Sequence, residues 1–184
     1  MSRTEAIIKM DAYLKNYNIY HQKDFDQGCR RFTMVYDSPA SPGGFVESCI
    51  WFFPGDHAEV GVYYNEDGAE ICKASENRDD LMWLINYING YVFLKCQDPN
   101  GMYGPSTLYT PRLFMSCDGG YDIVIKTMIN YDFWELANIE TLDYMTAYCP
   151  ELLDRLAPAI FGVLRGEQTI NEAYTYIDEN VLED

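Results

Sequence analysis

The stretch from Phe45 to Ala74 constrains the fold more than any other part of this chain. Phe45 to Phe53 is rich in β-branched and aromatic residues and is ended by Pro54-Gly55-Asp56. Ala58 to Tyr64 repeats the pattern, and Asn65-Glu66-Asp67-Gly68 reads as a hairpin turn leading into a third strand, Ala69 to Ala74. Strands that follow one another across short turns must run antiparallel, because a parallel pair needs a long crossover. Arg31 to Asp37 reads as a further edge strand, joined by the loop Ser38-Pro39-Ala40-Ser41-Pro42-Gly43-Gly44. Downstream, Leu113 to Cys117 and Asp122 to Ile129 form a hairpin across Asp118-Gly119-Gly120-Tyr121.

Helices flank these strands. Ser2-x-x-Glu5 is a capping box, and Ile7, Met10, Leu14 and Tyr17 follow at spacings of three and four. Asn77, with Asp80 three residues on, is expected to cap a helix whose core stripe is Leu81, Leu84, Ile85, Ile88 and Val92, packed on the sheet. Thr141 is expected to open another helix, carrying Leu142, Met145, Cys149, Leu152, Leu153, Leu156 and Ile160. Pro150 and Pro158 should kink or divide it, since each removes a backbone donor. Gly166 is the expected stop. Thr169-x-x-Glu172 starts a last amphipathic helix through Ile170, Ala173, Tyr174, Ile177 and Val181. Gln97 to Tyr109 reads as a long loop. The predicted class is α+β: an antiparallel sheet of five to six strands with helices packed on it, in the order helix, three or four strands, helix, two strands, two helices.

The 184 residues fit one domain, 1–184, with a core over 1–164 and an added C-terminal helix over 165–184. With 29 Asp and Glu against 13 Lys and Arg, the formal net charge is −16. Nucleic-acid affinity comes largely from cations that neutralise phosphates, so nucleic acid is excluded as a partner, and an anionic membrane surface is disfavoured likewise. No apolar run approaches the roughly 20 residues of a membrane span. The first residues carry charges too often for a signal-peptide core, and the six cysteines stand far apart with no C-x-x-C pair. Together these predict a cytoplasmic protein with reduced thiols.

Catalytic patterns are missing. Only His21 and His57 are present, and no spacing of His, Cys, Asp and Glu describes a metal site; both histidines are expected at the surface or in loops. Asn65 to Glu70 is too short for a calcium loop and lies between expected strands. Ser116 to Tyr121 joins strand to strand, whereas a phosphate cradle joins strand to helix. A Cys49–His57 nucleophile pair remains a minor alternative. No catalytic residue, metal or cofactor is therefore assigned, and the chain is expected to be non-enzymatic.

Trp83, Tyr87 and Tyr91 lie at i, i+4 and i+8 beside the core stripe of the middle helix, making it apolar over most of its circumference. Either the C-terminal helices of the same chain cover these rings or a partner does, and Trp and Tyr are preferred interface anchors. The three residues are accordingly the candidate partner-binding site.

From Thr4 to Leu164 the element order resembles that of class I type III secretion chaperones and YbjN-like proteins. The resemblance rests on the first helix, the Val46–Ala74 meander, the Asp80–Tyr91 helix, the Leu113–Ile129 hairpin and the helix after Thr141, on an acidic chain. It implies a non-catalytic protein that dimerises and holds extended segments of other proteins. The long loop and the last helix depart from that pattern. The expected function is protein binding, with another protein or a second copy (a homodimer) as partner. Two alternatives stand: a small-molecule-binding or hydrolytic protein with a pocket of Tyr, Trp and carboxylates, and an immunity- or antitoxin-like inhibitor of a basic protein.

Overall fold

The computed structural model describes residues 1–26, 28–93, 111–116 and 118–182. The expected loop Gln97–Tyr109 lies outside them. Helix α1 (Arg3–Asn16) begins at its capping box: the Glu5 carboxylate accepts from the Ser2 N–H at 2.7 Å, and Ser2 Oγ accepts from the Glu5 N–H at 3.3 Å. It buries Ala6, Met10, Tyr13 and Leu14. Strands β1 (Gln22–Asp26), β2 (Cys29–Asp37), β3 (Phe45–Phe52) and β4 (His57–Tyr64) follow as a continuous meander. Strand β1 was not legible in advance, because Gln-Lys-Asp-Phe-Asp at a sheet edge is mostly exposed and carries no alternating apolar pattern.

The third strand expected after Tyr64 is instead helix α2 (Glu66–Ala74). Asn65 is its N-cap: the side-chain oxygen accepts from the Gly68 N–H at 3.2 Å, and Glu66 and Asp67 occupy the first turn, where negative charge favours a helix. Ala69 and Cys72, three apart, are buried while Glu70 and Lys73 are exposed, which is helical periodicity. A side chain at Gly68 would meet the Tyr64 Cβ at 2.7 Å, so the glycine permits close docking of α2 on the end of β4.

Helix α3 (Arg78–Tyr87) runs into a π-helical turn, Ile88–Val92. The Asn77 side chain does not cap it; Nδ2 donates to the Val163 carbonyl at 3.2 Å. Hairpin β5 (Arg112–Met115) and β6 (Ile123–Asn130) completes one six-stranded antiparallel sheet, ordered β1-β2-β3-β4-β6-β5. Helices α4 (Tyr131–Leu136) and α5 (Asn138–Asp143) precede the position where Thr141 was expected to open a helix; Asn130 caps α4 by accepting from the Asp132 N–H at 2.8 Å. A second π-turn, Tyr144–Tyr148, leads into α6 (Cys149–Leu164) just ahead of Pro150. Pro158 sits inside α6 without dividing it. Its neighbours Leu156, Ala157, Ala159 and Ile160 are fully buried, and that packing outweighs one missing hydrogen bond. Gly166, at φ 69°, ends the helix as the sequence requires, and α7 (Ile170–Asn180) starts from the Thr169–Glu172 capping box.

The inner sheet face is read directly from the register, in which Phe32, Ile50, Val60 and Thr127 lie in one row across β2, β3, β4 and β6. Helix α6 packs on β3 and β4, and α3 and α7 pack on the far side of α6. Of the stripe expected on the sheet, Leu81, Leu84 and Ile85 thus pack on α6 instead, while the π-turn Ile88–Val92 meets strand β5. Apart from a polar strip of Glu151, Asp154 and Arg155, helix α6 is apolar and buried, so it serves the sheet on one side and Leu81, Leu84 and Ile85 of α3 on the other.

Candidate protein-binding surface

Helices α3 and α7 lie side by side over α6, and the aromatic stripe falls along their seam. The middle ring is claimed within the chain. Tyr87 packs 4.3 Å, centroid to centroid, from Tyr174 of α7 and 5.4 Å from Tyr91, and its hydroxyl donates to Asp178 Oδ1 at 2.6 Å. Burial, reinforced by that bond, pushes the Tyr87 phenol well above its ordinary range. The outer rings are not so placed: Trp83 is 65% exposed and Tyr91 60%. Met82 beside them is also exposed. The structure therefore divides the three candidate residues into one packing residue and two uncovered ones.

Charge frames this aromatic patch. Asp79 and Asp80, both exposed, precede Trp83 by one helical turn, which sets them on neighbouring positions of the helix surface. The Asp80 carboxylate is close enough to Tyr174 to add to the burial that raises its phenol. The cation of α3, Arg78, is turned away: its guanidinium donates to the carbonyls of Lys73 at 2.7 Å, Cys72 at 3.3 Å and Ser75, capping α2, and lies 5.6 Å from the Tyr121 ring. The part of α7 in this surface was missed from sequence. Tyr174 and Asp178, four residues apart, do share one helix face, a signal that was available.

On the opposite face of the sheet, charged and aromatic side chains of the strands tile the surface. Arg31 donates to Asp24 at 2.8 and 3.0 Å and to Asp26 at 3.2 Å, and the Trp51 indole N–H donates to Asp26 at 2.8 Å. Lys126 pairs with Glu59 at 2.8 Å and lies 5.4 Å from the Trp51 ring centroid. Gly61 makes room for this cover, since a Cβ there would meet Tyr63 at 2.9 Å and Trp51 at 3.1 Å. Such a face is the solvated side of a one-sided antiparallel sheet.

The minor nucleophile reading loses its geometry. Cys49 opposes Gly61, while His57 lies four residues away along β4, about 13 Å by strand rise. Burial pushes the Cys49 thiol up to about 11, away from a reactive thiolate. His57 stacks on Phe53 at 5.1 Å, with Nδ1 3.0 Å from Asp56. His21 is not a free surface group: its ring contacts the Ile19 carbonyl at 3.0 Å and Asp11 at 3.1 Å and stacks on Phe32. A cleft of about 350 Å³ between the end of β2 and the second π-turn is lined by Tyr36, Asp37, Thr146, Glu151 and Asp154, with no His, Cys, Lys or Arg in its wall. Asp154 is held there by Ser38 Oγ at 2.5 Å and the Ala40 N–H at 3.1 Å. Among the described residues no three His, Cys, Asp or Glu side chains converge on a metal position, and no helix is long and apolar enough to cross a membrane.

No protein-family model, curated protein or solved structure matches the chain.

Proposed function

We propose that this chain is a non-catalytic, cytoplasmic protein-binding module whose docking surface is the α3–α7 seam around Trp83 and Tyr91. The observation that supports it is the exposure of these two rings beside a third that the chain packs itself. Tryptophan and tyrosine supply large contact areas at small entropic cost and are over-represented among binding hot spots. Burying each would contribute about 1.5–3 kcal/mol before association costs. The resemblance to secretion chaperones supports the same class of activity, and the four buried free thiols Cys29, Cys49, Cys72 and Cys149 suit a reducing compartment. A different protein fits this surface better than a second copy. A twofold contact here would draw the Asp79 and Asp80 carboxylates of both chains together, on a molecule already at net −16.

A photo-crosslinking residue placed at position 83, with position 17 on the exposed end of α1 as control, tests the proposal in the protein's own cells. The expected result is a discrete adduct with another protein from position 83 and none from position 17. An adduct only between copies of this chain, or the same adducts from both positions, contradicts it.

A further inference from the structure

We infer that the segment docking on the α3–α7 seam is cationic, an arginine-bearing stretch of the partner whose guanidinium groups lie over Trp83 and Tyr91, the one over Trp83 reaching the carboxylates of Asp79 and Asp80. This rests on the docking reading above and adds the partner's chemistry.

The argument begins with the distribution of charge on the two helices. Helix α7, Ile170–Asn180, contains no lysine or arginine, and α3, Arg78–Tyr87, contains only Arg78. That guanidinium is spent on the last carbonyls of α2. Asp79, Asp80 and Glu179 are exposed, and none of them is in an ion pair among the described residues. Beside the half-buried Trp51, by contrast, Asp24 and Asp26 pair with Arg31 and Glu59 pairs with Lys126. The seam therefore combines uncompensated carboxylates with uncovered aromatic rings, and no other part of the described surface places a tryptophan in such surroundings.

Carboxylates alone would attract any cation and hold it weakly in water. Aromatic rings alone would accept any apolar side chain. The combination selects a group that is at once positive, flat and weakly hydrated. A guanidinium stacks on an indole or phenol face through the ring quadrupole while its edge N–H groups donate to a carboxylate, and a lysine ammonium can do only part of this. Trp83 follows Asp79 by four residues and Asp80 by three, so a guanidinium over the indole is one helical turn from either acid. The net charge of −16 adds long-range attraction that speeds encounter with such a segment and disfavours an acidic competitor.

Titration calorimetry on the full chain at about 150 mM salt tests this, using a short glycine–serine peptide carrying several arginines. A second peptide replaces each arginine by citrulline, which keeps the planar shape and removes the charge. The arginine peptide should bind, and the citrulline peptide should bind at least about tenfold more weakly. Trp83→Ala with Tyr91→Ala, and separately Asp79→Asn with Asp80→Asn, should each weaken the arginine peptide about fivefold or more. Glu47→Gln with Glu140→Gln removes the same charge from exposed positions elsewhere and should change affinity less than about twofold. All of these positions are exposed, and far-ultraviolet dichroism of each variant verifies folding. Equal weakening by the control pair, indifference to the Trp83 and Tyr91 substitutions, or no binding by the arginine peptide overturns the inference. A crosslinked partner from position 83 whose contact segment lacks arginine and lysine would also overturn it while leaving the docking surface standing.

Discussion

The Tyr87 hydroxyl donates to the Asp178 carboxylate at 2.6 Å across the seam between α3 and α7. This bond joins the middle helix to the last one and removes Tyr87 from the surface available to a partner. Its loss should register as stability. Tyr87→Phe is expected to lower the unfolding free energy by about 1 kcal/mol, less than a buried hydrogen bond to a charged group because water reaches this one, whereas Trp83→Ala should stay within about 0.5 kcal/mol of the natural protein. Chemical denaturation of the two variants compares them directly. A Trp83→Ala loss as large as that of Tyr87→Phe would mean that Trp83 is part of the core.

The Asn89 side chain exchanges two hydrogen bonds with the backbone of Leu113: Nδ2 donates to the carbonyl at 2.8 Å, and Oδ1 accepts from the N–H at 2.9 Å. A single amide thus acts as strand partner to the edge of β5 and anchors the π-turn that carries Tyr91. Asn89→Ala should cost about 1–3 kcal/mol by leaving both backbone groups without a partner, and Asn89→Asp, which keeps one acceptor, should cost less. Equal denaturation midpoints for Asn89→Ala and the natural protein would contradict this.

Asp11 sets an acid limit on stability. Burial pushes its pKa up, but hydrogen bonds from Lys15, Lys23 and His21 outweigh burial and hold the carboxyl well below the ordinary 3.8. A carboxyl lowered in the folded state stabilises fully above its unfolded value and loses that contribution as pH falls toward the folded one. The deficit of Asp11→Asn relative to the natural protein, about 1–2 kcal/mol near neutrality, should therefore shrink as pH drops below about 4. A deficit unchanged between pH 7 and pH 3 would show that the charge is not what holds α1 to β1.

The buried thiols should be inert in the folded protein. Burial pushes Cys49 up to about 11 and Cys149 up to about 12. At pH 8 iodoacetamide should leave both unmodified for hours and label them fully in denaturant. Labelling of folded Cys49 at the rate of a free peptide cysteine would restore a reactive role for it.

Much of the scaffold was legible because its signals are local. The Ser2–Glu5 and Thr169–Glu172 boxes, the Gly166 stop and the alternation in β3, β4 and β6 each depend on neighbours within a few residues. Errors arose where a local motif has two uses. Asn65-Glu66-Asp67-Gly68 serves equally as a hairpin turn or as a helix start, and the choice was made by Gly68 fitting against Tyr64 and Phe161. The stripe Leu81, Leu84, Ile85 announced a buried face but not its partner. That partner, α6, takes a helix on one side and the sheet on the other, a three-layer arrangement that no spacing within α6 reveals. At the candidate site the residue types were legible, while the separation of Tyr87 from Trp83 and Tyr91 required the position of α7.

Hydroxyl-radical footprinting tests the central claim most directly, comparing the purified protein with the same protein inside its own cells. Trp83 and Tyr91 should be oxidised in the purified chain as readily as the exposed reference residues Tyr17 and Tyr20. In cells the account predicts protection of Trp83 and Tyr91 with Tyr17 and Tyr20 unchanged, because a partner covers the seam. Equal oxidation of Trp83 in both settings would contradict a docking role for this face.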